Sequence, residues 1–351
     1  MLHGGDIYRN KVNIDFSVNI NPLGMPDAVR KALLGAVENC EQYPDIRGER
    51  LTESLAERMG VHKEHILLGN GASELFLAIV HTVNPGRIVI PVPSFYGYER
   101  AVMSFDGEVL FYEMKEEKGY TLDEGIMEYL TEETDLLFLA NPNNPVGNLI
   151  DSVLLAQIAE ECKKKHILIV LDECFLGFSG KEEQHTYKNK LTTYPNVIVV
   201  SAFTKIYAIP GVRLGYLFCG DKELRERIEK HLPEWNLSVF AQAAGIAACL
   251  EKDYVEESIQ VVEAERKYLK EQLEQLGIKV YPSEADYLLI KTDLQLYDEL
   301  LKKEILIRDC SNFRGLKRGY YRIAVKKHWE NVVLIEAIRE ILERTSIFQR
   351  L

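Results

Sequence analysis

The sequence lacks any closely spaced pair of cysteines. Its six cysteines are scattered over 351 residues, and none belongs to a C-x-x-C motif. This spacing argues against a disulfide framework and against a zinc site, so we expect reduced thiols in a cytoplasmic protein and no bound metal. The sequence also lacks an apolar run close to the ~18–20 residues of a membrane helix, and its first residues contain no apolar signal core. We therefore predict no membrane association.

Basic residues are outnumbered, with 42 Lys and Arg against 54 Asp and Glu and a net charge of -12 at pH 7. Because an acidic surface opposes binding to polyanions, we predict no nucleic-acid partner. Hydrophobic residues make up 46% of the chain and charged residues 27%, which is the usual balance of a soluble globular protein. The length predicts one large domain with a smaller one.

Short apolar runs alternate with helical runs in the middle of the chain. Most of these runs are continuously apolar, which is typical of strands buried on both faces of a sheet. They predict an α/β fold: a seven-stranded, mostly parallel α/β/α sandwich over residues 41–240, with a smaller α+β domain over 241–351 that the segment 1–40 joins. The predicted strands are residues 65–70, 87–92, 108–113, 135–141, 166–173, 196–202 and 215–220.

Polar or glycine-rich sequences follow four of these strands, and they read GNGASE, NPNNPVG, LDECF and SAFTK. Ligands of open α/β sheets bind outside the carboxyl ends of the strands, so we predict that the four segments surround one pocket. GNGASE opens a helix, whose N-terminal N–H groups can bind a phosphate. A plain turn capped by Ser73 is the alternative. A dinucleotide site is disfavoured because Glu74 stands where the third glycine of its motif belongs.

Four side chains at these strand ends suggest cofactor chemistry. Asp172 ends an apolar strand, where a carboxylate needs a cation or a donor. Lys205 follows another strand, and burial would favour its neutral, nucleophilic amine. Arg213 suits an anion, and Asn144 sits in a proline-flanked turn. A salt bridge, a surface lysine and turn chemistry are the alternatives for individual residues. Together the residues predict pyridoxal 5′-phosphate (PLP), which requires a lysine for its aldehyde and an acid for its ring nitrogen.

The sequence resembles fold-type I PLP-dependent enzymes of the aminotransferase class I/II group over essentially its whole length. The resemblance is carried by Y-P-D at 43–45, G-A-S-E at 71–74, P-S-F at 93–95, N-P-N-N-P-V-G at 141–147, D-E at 172–173, T-K at 204–205 and P-G-V-R-L-G-Y at 210–216. It implies that Lys205 binds the cofactor covalently, that Asp172 pairs with the ring nitrogen, and that Asn144 donates to the ring 3′-oxygen. The other cofactor residues it implies are Gly71, Ala72, Ser73, Phe95, Ser201, Thr204, Arg213 and, from a neighbouring subunit, Tyr43. The Tyr43 assignment implies a homodimer.

The branch that the sequence resembles contains histidinol-phosphate aminotransferases and the L-threonine O-3-phosphate decarboxylases of cobalamin biosynthesis. The opening H-G-G and D-F-S-x-N-x-N-P-L-G motifs at 3–24 and Phe175, where most of the aminotransferases have Tyr, favour the decarboxylases. The resemblance implies decarboxylation of threonine phosphate to (R)-1-amino-2-propanol O-2-phosphate, with Arg322 binding the α-carboxylate. Candidates for the rest of a small phosphorylated amino acid are Asn21, His3, Arg308 and Arg314, with Ser311 and Asn312 as neutral donors.

Two alternatives remain open. The first is an aminotransferase that acts on histidinol phosphate or an aromatic amino acid with 2-oxoglutarate. The second is a non-catalytic regulator or binding module of the same fold, which the presence of both Lys205 and Asp172 disfavours. Two residues also depart from the family pattern: Ala202 replaces a usual Ser or Thr phosphate ligand, and Asp286 stands where relatives often have Asn.

Overall fold

The computed structural model describes residues 4–103 and 105–348, with side chains up to residue 344. His3, a predicted substrate residue, lies outside the described residues. Within them, no helix is both long and apolar enough to cross a membrane.

Strands and helices alternate through the first two thirds of the described chain. The strands are β1 (Ile14–Asp15), β2 (Ile66–Gly69), β3 (Arg87–Val92), β4 (Glu108–Glu113), β5 (Leu136–Ala140), β6 (Leu168–Asp172), β7 (Val197–Ala202), β8 (Gly215–Cys219), β9 (Lys279–Val280), β10 (Tyr287–Lys291), β11 (Ile305–Leu306), β12 (Arg308–Asp309) and β13 (Tyr320–Ala324). The α-helices are α1 (Asp27–Ala36), α2 (Glu49–Met59), α3 (Ala72–Val83), α4 (Gly97–Val102), α5 (Ser152–Lys164), α6 (Glu182–His185), α7 (Phe203–Ile206), α8 (Lys222–Glu229), α9 (Val239–Leu250), α10 (Lys252–Gln275), α11 (Leu296–Leu301) and α12 (His328–Phe348).

The large sheet has seven strands in the order β2-β8-β7-β6-β5-β3-β4. β8 runs antiparallel to β2 and β7, whereas the other neighbouring strands run parallel. This confirms the predicted α/β fold with its mostly parallel sheet. β6 begins two residues later than the predicted run because His166 adopts a positive φ of 59° in the turn that follows α5.

Both faces of the large sheet are covered, which explains why its strands are continuously apolar. Along β3, Ile88 and Ile90 pack into the core beneath α3, α4 and α8, while Val89 packs into the core beneath α2, α5 and α9. Because successive strand residues point to opposite faces, an apolar residue is needed at every position.

The C-terminal part contains a four-stranded antiparallel sheet in the order β12-β13-β10-β9, and α10, α11 and α12 pack on it around a separate core. The N-terminal segment reaches this part, because β1 pairs in parallel with β11. α9 packs its alanines into the core of the large sheet, beside α1 and α2. The domain boundaries at residues 40 and 240 stay predictions.

Candidate active site

A cavity of about 270 Å³ lies at the carboxyl ends of the central strands. Its walls come from the loops after β2, β5, β6 and β7, from the N-terminal segment, and from β12 and β13. The structure therefore brings together eleven of the predicted site residues: Gly71, Ala72, Ser73, Phe95, Asn144, Asp172, Thr204, Lys205, Arg213, Arg308 and Arg322. The four strand ends that the sequence singled out do surround one pocket.

One end of the cavity is built to hold an anion. Gly71 has a φ of 80° and precedes α3, a helix of 12 residues whose first two residues, Ala72 and Ser73, line the cavity. A Cβ on Gly71 would lie 2.5 Å from Nη2 of Arg213, so only glycine lets the guanidinium approach the loop this closely. Glu74, the last residue of GNGASE, accepts a hydrogen bond from the N–H of Asn70 at 2.6 Å. A glycine at this position could not make this contact, which stabilises the loop. Helix dipole and guanidinium together favour a phosphate.

Asp172 ends β6 in the floor of the cavity, and two donors orient it. The Tyr98 hydroxyl donates to Oδ2 at 2.6 Å, and the N–H of Cys174 donates to Oδ1 at 2.9 Å. Burial raises the pKa of Asp172 because no cation offsets its charge here. A protonated ring nitrogen would supply the missing positive charge. The sequence did not indicate Tyr98 as a site residue. Its ring stacks on Phe138 in the core, with ring centroids 5.1 Å apart, and such a contact between distant residues leaves no local pattern in the sequence.

Lys205 lies in the short helix α7, which directly follows β7, and it lines the cavity. Its pKa is lowered, first because the amine is desolvated and then because the charges of Arg322 and Arg213 repel its ammonium form. The carboxylate of Asp286 acts in the opposite direction. A larger fraction of the amine is therefore neutral and able to attack a carbonyl group.

Arg322 links the small sheet to the cavity. Its Nη1 donates to Oδ1 of Asn144 at 2.5 Å, and its Nη2 donates to the carbonyl oxygen of Ser17 at 2.9 Å. Its guanidinium lies 5.4 Å from the ring centre of Tyr287. Among the described residues its Nε has no acceptor although it is buried, so a ligand carboxylate would find an oriented donor here. The contact leaves the amide nitrogen of Asn144 as the group available to a cofactor oxygen.

The two other predicted arginines have different surroundings. Arg308 is buried in the cavity wall, where Nη1 donates to the carbonyl of Asp309 and Nη2 donates to Oδ1 of Asn312 at 2.8 Å. Arg314 is not brought to the cavity. Its guanidinium makes two 3.1 Å hydrogen bonds with Glu99 and lies 3.9 Å from the ring centre of Phe111.

Asn21 lies behind the cavity rather than in its lining. Its amide nitrogen donates to the carbonyl of Ile206 at 2.7 Å and to the hydroxyl of Ser258 at 2.6 Å, so it ties the N-terminal segment to the lysine-bearing turn. Asn19, two residues earlier, does line the cavity, and its buried Oδ1 lacks a donor among the described residues. The sequence analysis predicted Asn21 as a substrate residue, whereas the asparagine of the N-x-N motif that lines the cavity is Asn19.

Two predicted cofactor residues also lie outside the lining. Ser201 borders a second cavity of about 210 Å³ near Tyr216, whereas its neighbour Ala202 lines both this cavity and the candidate site. Tyr43 is 81% exposed and packs on Trp235, with ring centroids 4.8 Å apart. Their roles toward a cofactor stay predictions.

The residues present fit PLP. The cavity combines a desolvated amine, a buried carboxylate without a cation, a helix N-terminus with an arginine, and the aromatic side chain of Phe95. No group of three or more His, Cys, Asp or Glu residues in the described part of the chain could hold a metal ion.

The chain is similar to a known protein family over most of its length. Residues 11–338 match the family described as Aminotransferase class I and II. The chain belongs to this family. That confirms the resemblance stated from the motifs, and it makes the protein a PLP-dependent enzyme of the aminotransferase fold.

Relatives of both predicted branches are similar to the chain. Threonine-phosphate decarboxylase of Salmonella typhimurium is 36% identical over 333 residues, covering 94% of this chain and 91% of that protein. Histidinol-phosphate aminotransferase 2 of Archaeoglobus fulgidus is 33% identical over 338 residues, covering 95% and 94%. The crystal structure of the histidinol-phosphate aminotransferase from Clostridium acetobutylicum superposes with a TM-score of 0.88 at 32% identity, covering 94% and 99%.

Proposed function

We propose that the protein is a PLP-dependent lyase that decarboxylates L-threonine O-3-phosphate to (R)-1-amino-2-propanol O-2-phosphate, for assembly of the nucleotide loop of cobalamin. The observation that carries this proposal is that Arg308 and Arg322 line the same cavity as Lys205. Two guanidinium groups suit a substrate with two acidic groups, its α-carboxylate and its phosphate. The 36% identity to a threonine-phosphate decarboxylase and the replacement of a usual Tyr by Phe175 also support it.

Each side chain of the cavity has a separate role in this reaction. PLP, when bound, supplies an aldehyde for the substrate amine and a ring that accepts electrons from the α-carbon. Asp172, oriented by Tyr98, keeps the proton on the ring nitrogen. Arg322 binds the α-carboxylate and Arg308 the phosphate, so together they decide which bond of the α-carbon faces the ring. Lys205 returns a proton to the α-carbon once CO2 has left.

We also propose a homodimer. Tyr43 and Trp235 form an exposed aromatic pair, and exposed apolar side chains at Leu34, Val37 and Ile46 lie on neighbouring parts of the chain. Apolar side chains left exposed in this way are typical of an interface. In a dimer Tyr43 would reach the cofactor phosphate of the other subunit. Light scattering in solution tests the dimer, and a monomer at micromolar concentration would contradict it.

A second candidate function is transamination of histidinol phosphate or an aromatic amino acid with 2-oxoglutarate. The TM-score of 0.88 to a histidinol-phosphate aminotransferase and the 33% identity to another favour it. Either reaction could use Lys205, Asp172 and Arg322. Decarboxylation and transamination differ in whether CO2 or a proton leaves the α-carbon.

The deciding experiment incubates the purified protein and PLP with threonine phosphate alone. The proposal expects CO2 release and formation of aminopropanol phosphate without any keto acid, and none from the Lys205→Ala variant. Turnover that requires histidinol phosphate and 2-oxoglutarate, with glutamate as a product, would instead establish the aminotransferase.

A further inference from the structure

Glu116 is the centre of a polar cluster that the proposed reaction leaves without a role. It begins a short 3₁₀ helix, Glu116–Lys118, in the connection between β4 and β5 of the large sheet. Its Oε1 accepts hydrogen bonds from the amine of Lys279 at 2.9 Å, the amine of Lys291 at 2.7 Å and the hydroxyl of Tyr281 at 2.8 Å. These donors lie on β9, on β10 and in the turn between them. One carboxylate therefore joins the large sheet to two strands of the small sheet, β12-β13-β10-β9.

Buried tyrosines add to this cluster. The Tyr120 hydroxyl donates to the Tyr320 hydroxyl at 3.0 Å, and both residues are buried. The amine of Lys291 lies 5.1 Å from the ring centre of Tyr320. Hydrogen bonds from these last two residues and from Lys279 hold the pKa of Glu116 well below its usual range, so its carboxylate is ionised at neutral pH. An isolated surface ion pair contributes little, but a carboxylate shared by several donors over buried rings forms a network that fixes its members.

The residues that follow Glu116 are held on their other side by the loop after β5. The amide nitrogen of Asn148 donates to the carbonyl oxygen of Tyr120 at 3.1 Å. Asn148 belongs to the loop that carries Asn144, and its carbonyl oxygen accepts a hydrogen bond at 2.9 Å from within that loop. Residues 116–121, which we call the bridge segment, therefore contact the small sheet at one end and the Asn144 loop at the other.

The contact with the small sheet lies two residues from Arg322. Where β10 pairs with β13, Lys291 is opposite Tyr320 and Leu289 is opposite Arg322. Side chains two residues apart on a strand point to the same face, and here Tyr320 packs in the core of the large sheet while Arg322 lines the cavity. Arg322 in turn donates to Oδ1 of Asn144, whose loop the bridge segment also contacts. The segment is thus connected to both partners of this hydrogen bond.

We propose that Glu116 is a positioning residue for Arg322: through the bridge segment it fixes the small sheet against the Asn144 loop, so that the guanidinium meets Asn144 and keeps its Nε available to a ligand. The inference rests on the proposed function in taking Arg322 as the residue that binds the substrate α-carboxylate. Loss of the Glu116 charge should loosen Arg322 and leave PLP binding intact, because Lys205 and Asp172 are carried by strands of the large sheet and their connections.

Arginine labelling with phenylglyoxal, a small neutral probe, tests the position of Arg322 without any substrate. Full-length protein loaded with PLP is labelled, and modification of Arg322 is quantified by peptide mass spectrometry. Arg322 is only 7% exposed in the wild type. In Glu116→Gln it should be labelled about tenfold faster, because the strand that carries it opens more often. Arg213, which precedes β8 of the large sheet, is the internal reference and should keep its wild-type rate.

Glu117→Gln is the matched control, because Glu117 is exposed and follows Glu116 in the same short helix. It should be labelled like the wild type. Equal labelling of Arg322 in Glu116→Gln and in the wild type would overturn the proposal. Equal acceleration at Arg322 and Arg213 would also overturn it, because that indicates a general loosening of the fold.

Two further variants cover the case in which Glu116→Gln does not fold. Lys291→Met removes a donor of the small sheet, and Asn148→Ala removes the contact with the Asn144 loop, so each releases one end of the bridge segment. Both should accelerate the labelling of Arg322. A wild-type rate in either variant would contradict the proposal.

A kinetic cycle connects the position of Arg322 to its role. With threonine phosphate as substrate, Glu116→Gln should lower kcat/KM about tenfold at unchanged PLP affinity, and it should lower it no further in an Arg322→Ala background. Equal losses in the two backgrounds would overturn the proposal, because Glu116 would then act on something other than Arg322. If the wild type releases no CO2 from threonine phosphate, the proposed function fails, whereas the labelling experiment still decides the role of Glu116.

Discussion

Glu173, the residue after Asp172, allows a stability prediction that is independent of any ligand. It is 7% exposed, and its carboxylate accepts hydrogen bonds from the Thr186 hydroxyl at 2.8 Å and the Tyr187 N–H at 2.9 Å. Burial raises its pKa from the ordinary 4.5 to about 8 in spite of these donors. At about 1.36 kcal/mol per pH unit, this difference corresponds to roughly 5 kcal/mol.

The sign of the effect follows from proton binding. Between about pH 4.5 and 8 folded Glu173 keeps its proton while the unfolded chain releases it, so stability falls as pH rises through this window. Glu173→Gln is neutral at every pH, and its amide can still accept from Tyr187 and donate to the Thr186 hydroxyl. We expect the variant and the wild type to have similar free energies of unfolding near pH 5. Near pH 9 the free energy of unfolding of the variant should be larger by several kcal/mol.

Urea unfolding of the PLP-free protein at pH 5, 7 and 9 measures the difference in the free energy of unfolding. Glu57→Gln, at an exposed position of α2, is the matched control and should show no such trend. A Glu173→Gln variant whose stability differs from the wild type by the same amount at all three pH values would refute the assignment of a protonated, buried Glu173.

Three further predictions concern the cavity. Tyr98→Phe removes the 2.6 Å hydrogen bond to Asp172 and should weaken PLP binding about tenfold in a fluorescence titration; unchanged affinity would remove its orienting role. Arg322→Ala should raise the KM for the amino acid substrate about 100-fold while PLP affinity stays near the wild-type value, and equal losses of both would contradict its role. Gly71→Ala adds a Cβ that collides with Arg213 at a positive φ. Its PLP affinity should fall at least tenfold with the circular dichroism spectrum retained, and normal affinity would show that the loop can adjust.

The large sheet was predictable because burial on both faces leaves a signal within each strand. β3 and β4 match the predicted runs at both ends, and the other five strands differ by at most two residues at an end. The strands β1, β9, β11 and β12 have two residues each, which is too short to carry such a signal. Their pairing depends on how the chain ends meet, for example in the parallel pairing of β1 with β11, which local sequence does not encode.

The same distinction applies to the site. Gly71, Asn144, Asp172, Lys205 and Arg213 stand next to strand ends in local motifs, and the structure brings all of them to one cavity. Residues whose place depends on distant partners were harder to predict. Tyr98 meets Asp172 across 74 positions, and Arg314 is held by Glu99 across 215. A pattern in the sequence shows that such side chains exist but not what they touch.

The charge of the site is opposite to that of the chain. The protein carries a net charge of -12, yet four cationic side chains, Lys205, Arg213, Arg308 and Arg322, line a cavity in which Asp172 is the lining carboxylate. Charges inside a cavity of low dielectric interact more strongly than exposed surface charges, which salt screens. The local excess of positive charge therefore decides which ligands enter, and it suits two phosphorylated molecules bound together.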